Sequence, residues 1–218
     1  MPPQNPPQQS PPQRQIRAHT PSNTTITLYQ AYPSTIATPA VQAQRLSASP
    51  SFSLSRMTWI KPSWAWMLYR AGYSYKDPGQ ERILALTMQR EYLWGMLRTA
   101  RLSTHSAAGA VDKGEAGSEV EGGKKGGVVV VQWDPERDVW LRRLGWRSVQ
   151  IGVPRGMSGT WAEEGILEIE DVTDRARELK RVIDEGNVTI EALVEKGLVP
   201  KEEVIDVPED IRKILAMD

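Results

Sequence analysis

Lys61, Pro62 and Ser63 stand where a short apolar strand runs into a helix, inside a segment, residues 56–76, that holds three tryptophans, three tyrosines and four cations. A helix N-terminus offers unpaired N–H groups and the positive end of a dipole, so Lys61 and Ser63 there form a cradle for an anion, with Arg56 and Arg70 as further charge. Pro62 withdraws one of those donors, and Lys-Pro-Ser is not a glycine-rich phosphate loop. In the helix that follows, Trp64, Met67, Leu68 and Ala71 have the spacing of a core face. Trp66 and Arg70, one turn apart on another face, suit stacking on a base and pairing with a phosphate, or an internal contact between cation and ring.

Further candidates flank this segment. Tyr29 and Gln30 in the first strand are placed to orient a ligand. Lys76, with Arg82 and beside Tyr73 and Tyr75, could clamp a nucleotide, or simply sit on an exposed turn. Asp134 before Pro135 reads as an N-cap followed by a first-turn proline. Glu136 and Asp138 would then lie in that helix's first turn beside Arg137, and they are the candidates for a general base. Arg147 supplies charge, and Ser148 and Gln150 give the next strand a polar face that lines a pocket or meets solvent.

Composition removes several other chemistries. Without cysteine there is no disulfide, thiolate zinc site, iron–sulfur cluster or thiol nucleophile. His19 and His105 both fall in segments that read as flexible, which leaves a histidine metal site or catalytic triad almost no material. No metal ligand set is identified and no cofactor is named, although a magnesium ion shared with a bound phosphate is compatible with so few ligands. The absence of a long apolar run or signal peptide predicts a protein that avoids the membrane and works inside the cell, in cytoplasm or nucleus.

These residues need elements to position them. Strands are expected over residues 25–31, 57–61, 83–88, 128–133, 148–153 and 166–170, with helices over 33–45, 62–71, 90–100 and 174–185 and two short ones near 190–196 and 208–217. In the helix over 90–100, Leu93, Met96, Leu97 and Ala100 form the core stripe, leaving Arg90, Trp94, Arg98 and Arg101 on a solvent-side strip. The fold class is α+β, one domain with a mixed or antiparallel sheet of about five or six strands. Residues 1–22 read as a disordered Pro/Gln-rich tail, 23–185 as the core interrupted by a flexible Gly-rich insertion at 103–127, and 186–218 as acidic C-terminal helices. The formal net charge of zero conceals a polarity: residues 1–111 carry +8 and residues 162–218 carry −9. Either a basic surface awaits an anionic ligand or the acidic end folds back over a basic body.

The motifs LYQAY (28–32), RMTWIKPSW (56–64), QERILAL (80–86), VQWDPERD (131–138), RSVQIG (147–152) and DVT (171–173) appear in co-linear order over about residues 16–180. In these the chain resembles the family called domain of unknown function 4291. The resemblance implies a compact common domain to which the N-terminal tail, the insertion and the final helices are additions, and it brings no assigned activity. The strand, helix, strand order with Tyr29 and Gln30 in the first strand is also similar to ADP-ribosyltransferase-like folds that grip a dinucleotide, an analogy of fold alone. The expected function is binding of a phosphate-bearing ligand, a nucleotide or RNA end, with possible group transfer. The alternatives are a non-catalytic nucleic-acid binder and a module whose acidic C-terminal helices meet a protein partner.

Overall fold

The computed structural model describes residues 13–103 and 127–217. The first twelve residues of the expected tail, and nearly all of the Gly-rich insertion, lie outside them. Residues 13–22 are ordered: β1 (Arg17–Ala18) pairs antiparallel with β9 (Glu203–Val204), and Ile16 and Ala18 are buried. Residues 13–22 are thus tied down by strand pairing and by these two apolar side chains, where the proline-rich composition reads as a disordered tail.

The strand over residues 25–31 is β2 (Thr25–Tyr32), followed by α1 (Ser34–Ala43), β3 (Thr58–Ile60), α2 (Trp64–Ala71), β4 (Arg82–Gln89) and α3 (Arg90–Arg98). After β5 (Arg101–Leu102) come β6 (Val130–Arg137), β7 (Arg143–Val153), α4 (Arg155–Thr160), β8 (Ile166–Asp171), α5 (Thr173–Glu185), α6 (Ile190–Glu195), β9 and α7 (Glu209–Ile214). The fold is α+β. Antiparallel β2-β4-β8 forms one sheet, and β3-β7-β6-β5 forms another that is antiparallel except for the parallel β5-β6 pair.

Helices cover both faces of the three-stranded sheet, which explains why β4 reads as a nearly continuous apolar run. Ile26, Leu28, Leu84, Leu86 and Met88 enter one core with α1 and α3. Tyr29, Ile83 and Ala85, one residue out of phase, enter a second core with Trp64, Leu68 and Leu179 from α2 and α5. Trp94 belongs to the first core at 3% exposure, not to a solvent strip, because Asp210 of α7 pairs with Arg98 and the C-terminal helix covers that side of α3.

The acidic third thus folds back on the basic body. Leu193, Ile211 and Leu215 are buried, Arg14 donates to the Ala216 carbonyl, and Thr20 reaches Glu203. Packing is tight where the π-helical turn over Trp161–Gly165 enters β8: a Cβ on Gly165 would stand 2.8 Å from Tyr92 Cε1 and 3.0 Å from Trp161 Cδ1. Gly165→Ala is expected to lower stability by about 1–3 kcal/mol through overpacking, read as a lower urea midpoint with an unchanged m-value.

Asp134 is not a helix cap. β6 continues through Pro135 to Arg137, with Asp134 opposite Ser148 and Pro135 opposite Arg147. Proline is tolerated because β5 pairs only with Val130 and Val131, so β6 is an edge strand by Pro135, and the register with β7 shifts just beyond it. Glu136 is therefore a strand residue and Asp138 a turn residue, and neither lies in the first turn of a helix.

A recess at the split between the two sheets

The backbone of β2 pairs at one point with the residue that follows β3. Tyr29 and Lys61 exchange backbone hydrogen bonds, Tyr29 N to Lys61 O at 2.7 Å and Lys61 N to Tyr29 O at 3.2 Å, and this isolated bridge joins the two sheets. Beyond it the strands separate and side chains span the gap. The Gln30 amide donates to Thr58 Oγ1 (2.7 Å) and to the Trp59 carbonyl (2.9 Å), and the Tyr32 hydroxyl donates to Gln30 Oε1 (2.8 Å). Burial pushes the Tyr32 phenol up to about 12, so it stays a neutral donor.

The split opens into a cavity of about 370 Å³. Six of the candidates named from sequence line it: Tyr29, Gln30, Arg56, Lys61, Arg70 and Gln150. Every charged residue in its wall is a cation. Sequence reasoning missed Thr58, Trp59 and Tyr32, whose polar atoms or rings complete the wall. Tyr32 lies two residues beyond Gln30 on the same strand face, a period-two signal that was there to use.

Lys61 is 4% exposed, and Nζ donates to Asp134 Oδ2 at 3.1 Å while lying 2.9 Å from the centroid of the Trp66 ring. Burial pushes its ammonium down to about 7, against the opposing pull of the Asp134 carboxylate. Trp66 is thus the internal partner of Lys61 and is itself buried. Ser63 is the N-cap of α2: its Oγ accepts from Trp66 N (3.1 Å) and donates to Glu136 Oε1 (2.9 Å). Glu202, from the segment before β9, accepts from Trp64 N at 2.6 Å. The helix N-terminus expected to cradle an external anion is therefore taken up by the chain's own Ser63 hydroxyl and Glu202 carboxyl group.

Glu136 is also 4% exposed, and burial raises its pKa against the bonds it accepts from Arg137 N, Ser63 and Ser148. Glu202, half-buried, is pushed up to about 8 by loss of hydration, with the neighbouring Glu136 charge adding to the effect. Glu136 and Glu202 face a second, largely apolar cavity of about 420 Å³ walled by Trp64, Trp140 and Trp146. Lys61 lines the recess, and Glu136 lines the second cavity. Nothing in the acid-rich run KEEVID marks Glu202 apart from its neighbours, and Asp134 lies 73 residues from Lys61 in sequence.

The remaining candidates fall elsewhere. Asp138 ties the β6–β7 turn, accepting from Trp140 N and Arg142 N and pairing with Arg142 Nε at 2.7 Å. Arg147 donates to the Trp133 carbonyl, one residue out of phase with Ser148 and Gln150 and hence on the other face of β7. Lys76 is exposed and outside the recess wall. Among the described residues no group of three or more acidic or histidine side chains is placed to hold a metal ion, and no helix is long and apolar enough to cross a membrane.

The family model described as domain of unknown function (DUF4291) matches residues 15–205. The match takes in β1, α6, Glu202 and β9, so of the final helices only α7 lies beyond the common domain. No curated protein matches the chain.

Proposed function

We propose, for a chain that belongs to the DUF4291 family, that the recess between β2 and β3 takes a phosphate-bearing ligand of nucleotide size, a nucleotide or an RNA end. One observation carries this reading: Arg56, Lys61 and Arg70 converge on one cavity whose wall contains no carboxylate. Guanidinium groups bind phosphate oxygens by charge-assisted, often bidentate hydrogen bonds. The Gln30 and Gln150 amides, the Tyr32 hydroxyl and the Trp59 ring supply the donors, acceptors and flat surface that a sugar and base require. At about 370 Å³ the cavity is within the range of small-molecule sites. The placement of Arg147 and Lys76 favours a compact ligand over a long nucleic acid, which would need an extended basic track. The folding back of the acidic helices likewise favours it over a partner-binding module built on them.

The test is calorimetric titration with mono- and dinucleotides and with inorganic phosphate. Arg56→Ala, at an exposed position, and Arg70→Ala are each expected to weaken nucleotide binding by about tenfold or more, and affinity should fall with added salt. Nucleotide affinity that is absent, or unchanged in both variants, overturns the reading.

A further inference from the structure

We propose that the Lys61 amine is a nucleophile that forms an imine with a phosphate-bearing aldehyde or ketone seated in the recess, an inference that rests on the anion-binding reading above. Three features of geometry support it. Lys61 belongs to the wall of the cavity that Arg56 and Arg70 also line, so an anionic carbonyl compound held by the guanidinium groups would lie beside the residue that carries the amine. Asp134 Oδ2, 3.1 Å from Nζ, is in position to take and return the proton that imine formation moves. The Trp66 ring, 2.9 Å from Nζ, fixes the direction of the side chain, and only 5% of that side chain remains exposed, so bulk water does not compete for the amine.

The step balances without an external oxidant, reductant or metal. The Lys61 ammonium passes one proton to Asp134, and the freed lone pair forms the C–N bond as the carbonyl π pair moves to oxygen. That oxygen takes a proton from the nitrogen, giving a carbinolamine. Asp134 then returns its proton to the hydroxyl group, which leaves as water while the nitrogen lone pair closes a protonated C=N bond. Lys61 begins and ends with a positive charge and Asp134 with a negative one, so the buried ion pair persists in the product. The amine freed below the range of an exposed lysine makes the first step accessible near neutral pH, with Asp134 and Glu136 opposing that release and Arg70 assisting it.

The probe is pyridoxal 5′-phosphate, a phosphate-bearing aldehyde, incubated with the full chain at neutral pH, reduced with borohydride and mapped by peptide mass spectrometry. The expected result is a borohydride-dependent adduct on Lys61, formed about tenfold or more faster than on Lys76, with a rate that rises through pH of about 7 and is suppressed by excess nucleotide. Arg56→Ala should slow this labelling by a larger factor than it slows labelling of Lys61 by propanal, which lacks a phosphate. Label on exposed lysines with Lys61 unmodified overturns the proposal, and it does so without harming the recess reading if nucleotides still bind. Equal labelling of Lys61 by both aldehydes, with no competition from nucleotide, upholds the nucleophile and overturns the anion site. Mapping of the unaltered chain decides these outcomes, so Lys61→Arg, which should lose the adduct, serves only as confirmation.

Discussion

Lys61→Met lowers folding stability by about 3–5 kcal/mol at neutral pH, because it strands a buried carboxylate without its partner. Asp134 has its oxygen 3.1 Å from Nζ and is itself buried, and among the described bonds Lys61 is the partner of that side chain. Methionine fits the volume and rests on the Trp66 ring, so loss of packing is a minor part of the effect. The double variant Lys61→Met, Asp134→Leu should recover most of the deficit, since removing both charges spares their desolvation, and a double-mutant cycle by urea unfolding measures the coupling. Arg142→Met, which breaks the largely exposed pair with Asp138, should cost no more than about 1 kcal/mol. If Lys61→Met costs no more than Arg142→Met, the Lys61–Asp134 pair is not a buried ionic link between the end of β3 and β6.

Much of this architecture is legible in the residue pattern, for identifiable reasons. Strands β2 and β4 are β-branched or apolar and bounded by turn residues, and α2, α3 and α5 carry core stripes, so local sequence sufficed for their existence. It failed where a distant element decided the outcome. Trp94 is equally at home on a wet strip or beneath a helix, and α7 settles the matter from 112 residues downstream of Arg98. Asp-Pro-Glu-Arg is a good helix start by composition, yet it extends a strand because β7 is available for pairing and β5 has already ended.

The site divides in the same way. Tyr29, Gln30 and Gln150 were accessible because each lies on a strand whose alternation is readable, and Lys61 because it directly follows one. That Lys61 and Ser63 answer to Asp134, Glu136 and Glu202 of the same chain was not, because a charge's partner across a fold leaves no mark in local spacing. The chemistry consequently shifts: the start of α2 is occupied by the chain's own Glu202, and the cations named from sequence that share one cavity wall are Arg56, Lys61 and Arg70.

Stability plotted against pH should fall from about pH 5, pass through a minimum near pH 7–8 and rise again toward pH 10, as half-buried Glu202 and buried Lys61 titrate. Glu202 is raised to about 8 in the folded chain, so between its ordinary range and pH 8 the folded state holds a proton that the unfolded chain has lost, and stability declines over that window. Glu136, also raised, pulls in the same direction. Lys61 is lowered to about 7, so between that value and its ordinary range the unfolded chain holds the extra proton, and stability climbs as pH increases. For a chain of this length a midpoint about 5 °C lower at pH 8 than at pH 5, read by calorimetry, corresponds to roughly 1–2 kcal/mol. Glu202→Gln keeps an oxygen to accept from Trp64 N while removing the titration, so it should flatten the falling limb and exceed the parent in stability at pH 8. The rising limb should survive that substitution and vanish in the Lys61→Met, Asp134→Leu double variant. A falling limb unchanged in Glu202→Gln would mean that the carboxylate is hydrated in solution, and that the segment carrying it does not close over the start of α2 as its contact with Trp64 requires.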